Sequence, residues 1–191
     1  MKKILYWPGM GQNVDILYDL KKELSKKFKL DIINFDYDMG DLNPLDWKIL
    51  KNKYDWWIGI SLGASLLYYS YNFIEKEIRP KRLTIINPFS SRRILSKEKG
   101  FDLSNQWDFS PKSQEVTAEK IELITSIYDE KIPNYHGFEL INKTNSKNKK
   151  IILVNSNHII ENKKAQLELS KILLNEEIKN EEFNYCNIYK Q

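Results

Sequence analysis

A serine lies between two glycines in the segment Gly59-Ile60-Ser61-Leu62-Gly63, and this spacing could support nucleophilic chemistry. The preceding residues are apolar, as in a buried strand, and the following residues have the apolar spacing of a helix. A serine on such a strand-to-helix turn presents its hydroxyl above the sheet, and the glycines leave room where strand and helix crowd together. Glycine is scarce in this chain, with seven in 191 residues, so the spacing is informative. The pattern predicts that Ser61 is a nucleophile; the alternative is a turn whose serine only caps a helix.

A serine hydroxyl is a poor nucleophile at neutral pH, so it needs an imidazole base that removes its proton. The chain contains two histidines. His158 follows the apolar run at residues 150–155, whereas His136 lies in a segment typical of a helix or turn. We therefore predict that His158 is the base and interpret His136 as a surface residue.

The base in turn needs a carboxylate that holds the imidazole in the correct tautomer. Asp129 directly follows the apolar run at residues 121–128, and the pattern Asp-x-x-x-Pro favours it over Glu130. Asp36 and Asp38, which follow an earlier run, are the other candidates. The preferred set is found in the chain order Ser, Asp, His, which is one of the orders known for such triads.

Two backbone N–H donors would also be needed for the oxyanion of a tetrahedral intermediate. We assign them to Leu62, the residue after the nucleophile, and to Met10, in the glycine-containing segment that ends the first apolar run. That segment could instead be a plain turn or a phosphate-binding loop. The Gly-x-Gly-x-x-Gly spacing is incomplete because Val14 occupies the third glycine position, so dinucleotide binding is not favoured.

These residues require elements that bring them to one place. Apolar, β-branched or aromatic runs occur at residues 3–7, 30–35, 56–60, 83–87, 121–128 and 150–155. Helical spacing occurs at residues 14–28, 62–78 and 162–174. The alternation predicts an α/β fold, a mainly parallel sheet of about six strands with helices on both faces. Ligands bind at the carboxyl ends of the strands in such sheets, where Ser61, Asp129 and His158 all fall.

Two segments interrupt this alternation. Residues 90–120 form an insertion that is long for a connection, and we predict a small lid whose Trp107 and Phe109 contact substrate. These aromatic residues could equally anchor a long loop. From residue 175 onward the chain is rich in Glu, Asn and Lys, and we predict that it frays beyond the last helix.

Composition limits the classes of protein that fit the chain. Its 191 residues predict a single domain, and its net charge of +4 is scattered, without the focused basic stripe of a nucleic-acid-binding protein. No apolar run is long enough to span a bilayer, so we expect no membrane insertion and a cytoplasmic location. Cys186, the single cysteine, cannot form an internal disulfide or a cysteine metal cluster and is interpreted as a bystander in a polar tail. We predict neither a metal nor an organic cofactor.

The motifs together resemble the α/β-hydrolase superfamily, over most of the chain, and among its members the small, nearly lidless serine hydrolases and carboxylesterases. The first half is more weakly similar to compact pimeloyl-carrier-protein methyl esterases. The resemblance implies a Ser61-His158-Asp129 triad acting on an ester or thioester, delivered as a small molecule or on an acyl carrier, with Met10 and Leu62 as oxyanion donors. The chain departs from the superfamily pattern at Pro8 and Asn157, where His and Gly are common. A catalytically silent binding domain and an acyltransferase with the same triad are the alternatives.

Overall fold

A mainly parallel β-sheet is the centre of the computed structural model, which describes residues 1–10, 16–33, 48–100, 109–175 and 186–190. Within these ranges the strands are β1 (Lys3–Trp7), β2 (Lys29–Ile32), β3 (Trp56–Ile60), β4 (Arg82–Ile86), β5 (Lys120–Ser126), β6 (Asn148–Val154) and β7 (Cys186–Lys190). They form one seven-stranded sheet in the order β2-β1-β3-β4-β5-β6-β7. The strands β1 to β6 are parallel to their neighbours, and β7 is antiparallel to β6.

Helices cover both faces of this sheet. In the described part of the chain they are α1 (Tyr18–Ser25), α2 (Leu62–Ser70), α3 (Arg92–Lys99), α4 (Tyr135–Lys143) and α5 (Lys163–Leu174). Apolar residues of α1 and α5 pack on one face, and those of α2, α3 and α4 pack on the other. Since β1 and β3 are buried on both faces, their sequences are apolar at nearly every position. No helix among the described residues has the length and apolar character that crossing a bilayer requires.

The predicted fold class is confirmed, and the differences lie in the bounds and number of elements. The helix predicted at residues 62–78 ends at Ser70 and continues as two short 3₁₀ turns, Tyr71–Phe73 and Lys76–Ile78. The predicted insertion at residues 90–120 contains α3 and a 3₁₀ turn at Pro111–Ser113, while residues 101–108 lie outside the described part.

The prediction that the chain frays beyond residue 175 is wrong for residues 186–190, because they form β7. Cys186 pairs with Val154 of β6, and its N–H donates to the Glu168 carboxylate of α5 at 2.8 Å. Cys186 is therefore buried and not part of a polar tail, and its burial raises the pKa of the thiol. Cys186 and Ile188 pack toward the core while Asn187 and Tyr189 are exposed, which is the two-residue alternation of an edge strand.

A buried ion pair joins β4 and β5. The Glu122 side chain is fully buried and accepts two hydrogen bonds from Arg82, at 2.9 and 2.6 Å. It also accepts one from the Thr84 hydroxyl at 2.6 Å, and Lys120 lies 2.8 Å away. Burial alone would raise the pKa of Glu122, but the Arg82 and Lys120 cations outweigh it and lower the pKa. Arg82 also lies over the Trp56 ring at 3.5 Å, so the group fixes the register of three neighbouring strands.

We predict that Glu122→Gln lowers the free energy of unfolding by about 3 kcal/mol, because it leaves two partly buried cations without their counter-charge. Urea denaturation measures the change. The matched control is Glu119→Gln, which breaks an exposed pair with Lys81 and should have little effect.

Urea denaturation of the wild type and of Glu122→Gln at lower pH tests whether the charge of Glu122 causes the stability difference. A carboxylate whose pKa is lowered by folding stabilises the protein above its ordinary pKa of about 4.3 and loses that contribution as the pH falls. The difference between the wild type and Glu122→Gln should therefore shrink as the pH is lowered. A difference that is independent of pH would contradict the charge-based explanation.

Candidate active site

Ser61 lies on a sharp turn between β3 and α2. Its backbone angles are φ 55° and ψ −124°, outside the regions that a non-glycine residue ordinarily adopts. The turn is held on both sides, since the Ser61 N–H donates to the Ile86 carbonyl at 2.8 Å and the Ser61 carbonyl accepts from the Ser65 N–H at 3.1 Å. The strand-to-helix turn predicted from the sequence is therefore present, and a serine with positive φ at its apex is typical of a nucleophile elbow.

The two glycines around Ser61 permit contacts that no other residue would. A Cβ atom at Gly63 would lie 2.2 Å from the Pro8 carbonyl oxygen and 2.3 Å from that of Trp7. A Cβ atom at Gly59 would lie 2.8 Å from backbone atoms of Ala64. The start of α2 is thus pressed against the end of β1 on one side and against β3 on the other.

The structure brings the three predicted side chains together in a chain of hydrogen bonds. His158 Nε2 lies 2.9 Å from Ser61 Oγ, and His158 Nδ1 lies 2.7 Å from Asp129 Oδ2. The side chains of His158 and Asp129 are 4% and 1% exposed, so both are almost fully removed from water. The residues come from the carboxyl ends of β3, β5 and β6, as the sequence predicts.

Asp129 is held so that it orients His158. Its Oδ1 atom accepts the backbone N–H groups of Lys131 and Ile132 at 2.9 and 2.8 Å, which leaves Oδ2 for the imidazole. An ionised carboxylate only accepts hydrogen bonds, so His158 Nδ1 carries the proton in the neutral ring. Nε2 then has a free lone pair, and it can accept the Ser61 hydroxyl proton.

Gln166 of α5 holds the loop that carries His158 by a hydrogen bond to that loop. Ile160 adopts φ 51°, and its carbonyl accepts a hydrogen bond of 2.8 Å from the Gln166 amide. The oxygen of the same amide accepts the backbone N–H groups of Asp19 and Leu20 at 3.0 and 3.3 Å. Gln166 thereby links the His158 loop to the first turn of α1.

The two predicted oxyanion donors belong to two segments that approach each other, the first turn of α2 and the residues after β1. Leu62 is the first residue of α2, where the N–H groups have no partner within the helix. Met10 follows the Trp7-Pro8 backbone that abuts Gly63, and its side chain is exposed. The packing therefore places the segment after β1 beside the first turn of α2, which is the proximity that a pair of oxyanion donors requires.

His136 is a buried residue and not the surface residue that the sequence suggested. Its Nδ1 atom lies 2.9 Å from Ser90 Oγ, and its Nε2 atom lies 3.2 Å from Glu98 of α3. Ser90 Oγ also donates to Glu139, which pairs with Lys112 at 3.1 Å. Burial lowers the pKa of His136, although Glu98 acts in the opposite direction. This second serine–histidine contact is fully buried, and the His136–Glu98 pair beside it ties α4 to α3.

The remaining candidates have different positions. Phe109 is buried in the core, with its ring 5.5 Å from Phe89 and 5.4 Å from Tyr69, so it anchors the insertion from within. Trp107 lies outside the described residues, and so do Asp36 and Asp38. Glu130 is exposed, and its carbonyl accepts a hydrogen bond from Lys99 at the end of α3. The described residues contain no group of three or more His, Cys, Asp or Glu side chains that could hold a metal ion.

One polar residue at the same edge of the sheet was not predicted from the sequence. Asn87 directly follows β4, is buried, and contacts the loop that carries His158. The only signals for it are a polar residue at the end of an apolar run and Pro88 immediately after it.

The fold and the hydrogen-bonded serine invite comparison with known proteins. No family model and no curated protein sequence matches the chain. Among solved structures, the esterase domain of a Rhodothermus marinus protein matches with 14% identity over 90% of this chain and 84% of that one, at a TM-score of 0.68.

Two further solved structures match over similar lengths. Alpha/beta hydrolase domain-containing protein 10 from mouse matches with 12% identity over 91% of this chain and 88% of that one, at a TM-score of 0.67. The Paleococcus ferrophilus monoacylglycerol lipase matches with 12% identity over 90% of this chain and 92% of that one, at a TM-score of 0.65. The chain has the α/β-hydrolase fold.

We predict that Gly63→Ala lowers the free energy of unfolding by about 3 kcal/mol or more, because the added methyl group meets backbone that cannot move independently. The control is Gly137→Ala in α4, where the new methyl group meets a Leu123 methyl that can rotate away. Thermal and urea denaturation compare the two variants. Equal stability losses would contradict the close approach of α2 to β1.

Proposed function

We propose that the protein is a serine hydrolase that cleaves esters or thioesters through a covalent acyl-enzyme on Ser61. The observation that carries the proposal is the unbroken hydrogen-bonded chain from Ser61 through His158 to Asp129, with Ser61 at positive φ on the sharp turn between β3 and α2. A serine that only capped a helix would need neither feature. The esterase and lipase names of the structural neighbours support the same reaction class.

Acylation begins when Ser61 Oγ attacks the substrate carbonyl carbon. His158 Nε2 takes the hydroxyl proton, and Asp129 stabilises the imidazolium that forms. The carbonyl oxygen becomes an oxyanion, which the N–H groups of Leu62 and Met10 stabilise. Collapse of the tetrahedral intermediate breaks the bond to the leaving group, and His158 returns the proton to the departing oxygen or sulfur.

Deacylation repeats these steps with water as the nucleophile. His158 takes a proton from water, the hydroxide adds to the acyl carbonyl, and the second tetrahedral intermediate releases the carboxylic acid. His158 then returns its proton to Ser61 Oγ, which restores the resting enzyme. The protein groups that move protons are thus confined to Ser61 and His158, while Asp129 remains ionised throughout.

The proposed substrates are small esters, or acyl groups delivered on a carrier. The proposed lid is the insertion at residues 90–120, whose helix α3 contacts α4 through Glu98 and the Glu130 carbonyl through Lys99. A lid of this size suits ligands that approach from an open side.

We predict that a fluorophosphonate probe forms a covalent adduct on Ser61, because the His158 base makes its oxygen nucleophilic. Ser90 provides a control within the same chain, since its Oγ is also 2.9 Å from a histidine nitrogen but is buried. Intact-mass spectrometry should show one adduct in the wild type and in Ser90→Ala, and none in Ser61→Ala. A folded wild-type protein that takes up no probe would instead support a silent binding domain.

We also predict that His158→Ala lowers kcat on an activated ester by about four orders of magnitude or more, as loss of a triad member does. His136→Ala should lower the melting temperature, because it disrupts a buried polar group, while kcat at a temperature well below melting stays close to that of the wild type. Steady-state hydrolysis of p-nitrophenyl esters measures both variants. A large loss of kcat in His136→Ala alone would mean that the base is misassigned.

A further inference from the structure

Asn87 occupies the space between the two loops that carry the acid and the base. It follows β4, which lies between β3, the strand of Ser61, and β5, the strand that leads to Asp129. Asn87 is only 2% exposed. A buried amide at this point must find all its hydrogen bonds within the protein, because an unpaired one costs free energy.

The Asn87 side chain makes three hydrogen bonds, two to Ser126 at the end of β5 and one to the loop that carries His158. Its Nδ2 donates to the backbone carbonyl of His158 at 2.5 Å and to Ser126 Oγ at 2.9 Å. Its Oδ1 accepts the backbone N–H of Ser126 at 2.7 Å. Both amide hydrogens and the amide oxygen are therefore used.

Ser126 connects Asn87 to the proposed acid, Asp129. The Ser126 carbonyl accepts the Asp129 N–H at 3.3 Å, within the turn that aims the carboxylate at the imidazole. Asn87 thus contacts the base residue directly and reaches the acid residue through one further hydrogen bond.

The backbone of Asn87 is adapted to this position. Its φ is 46°, in the left-handed region that asparagine tolerates better than most residues. Its own N–H donates to the Ile124 carbonyl of β5 at 2.9 Å, which continues the β4–β5 ladder by one hydrogen bond. A positive φ costs free energy in a residue other than glycine. The three side-chain hydrogen bonds of Asn87 offset this cost and hold the end of β5 and the His158 loop in place.

We propose that Asn87 is a positioning residue, whose side-chain amide sets the distance between His158 and Asp129 and holds the imidazole against Ser61. This inference rests on the proposed serine-hydrolase function. Aspartate could not replace asparagine here, because a carboxylate oxygen in place of Nδ2 would face the His158 carbonyl oxygen as a second acceptor.

The test is Asn87→Gly, since glycine adopts a positive φ without strain while the substitution removes the side-chain amide with its methylene group. With the triad less firmly held, kcat on a p-nitrophenyl ester should fall by about 100-fold, the scale expected for a misplaced reacting group. KM should stay at the wild-type value because Asn87 contacts the triad loops and not the substrate. The rate of fluorophosphonate labelling of Ser61 should fall in parallel with kcat.

Thr84→Val is the matched control for stability. Thr84 lies in the same β4 strand, is buried, and makes two side-chain hydrogen bonds, to Glu122 at 2.6 Å and from the Trp56 indole at 2.9 Å. Thr84→Val removes these two hydrogen bonds, so it should lower the melting temperature but leave kcat and the labelling rate unchanged. A purely structural role for Asn87 would give the same result in Asn87→Gly as in Thr84→Val.

The outcomes separate this inference from the proposed function. If the wild type is labelled at Ser61 and Asn87→Gly has the wild-type kcat, the positioning role is overturned and the hydrolase proposal stands. A wild-type protein that is not labelled overturns both. If Asn87→Gly does not fold, Ser126→Ala replaces it, because it removes one anchor of the amide; a lower kcat at constant KM supports the role, and a wild-type kcat overturns it.

Discussion

The close approach of α2 to the end of β1 is the constraint on which the site depends. Gly63 allows the first turn of the helix to touch the carbonyls of Trp7 and Pro8, and this contact leaves the chain little room between β3 and α2. Ser61 must then turn sharply, with the backbone angles that raise its side chain toward His158. The same contact brings the segment after β1 to the helix N-terminus, so one packing constraint locates both the proposed nucleophile and the proposed oxyanion donors.

The two ends of the parallel sheet use buried polar groups differently. Near the amino ends of β4 and β5, Glu122 and Arg82 are fully partnered in ordinary strand backbone, and they fix register. At the carboxyl ends, Ser61, Asn87 and Ile160 all have positive φ, although none is glycine. Strained backbone in this part of the chain therefore gathers around His158, and the regular sheet beneath it supplies the rigidity that such conformations require.

Sequence patterns predicted the parallel sheet because strands buried on both faces are apolar at consecutive positions, as in β3 and β4. They placed Ser61, Asp129 and His158 because parallel strands bring their carboxyl ends to one edge, whatever the identity of the surrounding residues. They did not predict β7, because this strand is short and follows a stretch rich in charged residues. They also did not predict the burial of His136 or the contacts of Asn87, because these depend on side chains from elements far apart in the chain meeting in space.

The antiparallel strand β7 has a consequence for the order in which the fold can be completed. β6 carries the His158 loop at its end, and on one side its backbone is paired only by β7. Because β7 follows β6 and α5 in the chain, β6 is the open edge of the sheet until β7 pairs with it. An open edge can pair with a strand of another chain. With β7 in place β6 becomes an internal strand, and Cys186 and Ile188 hold β7 there because they pack into the core.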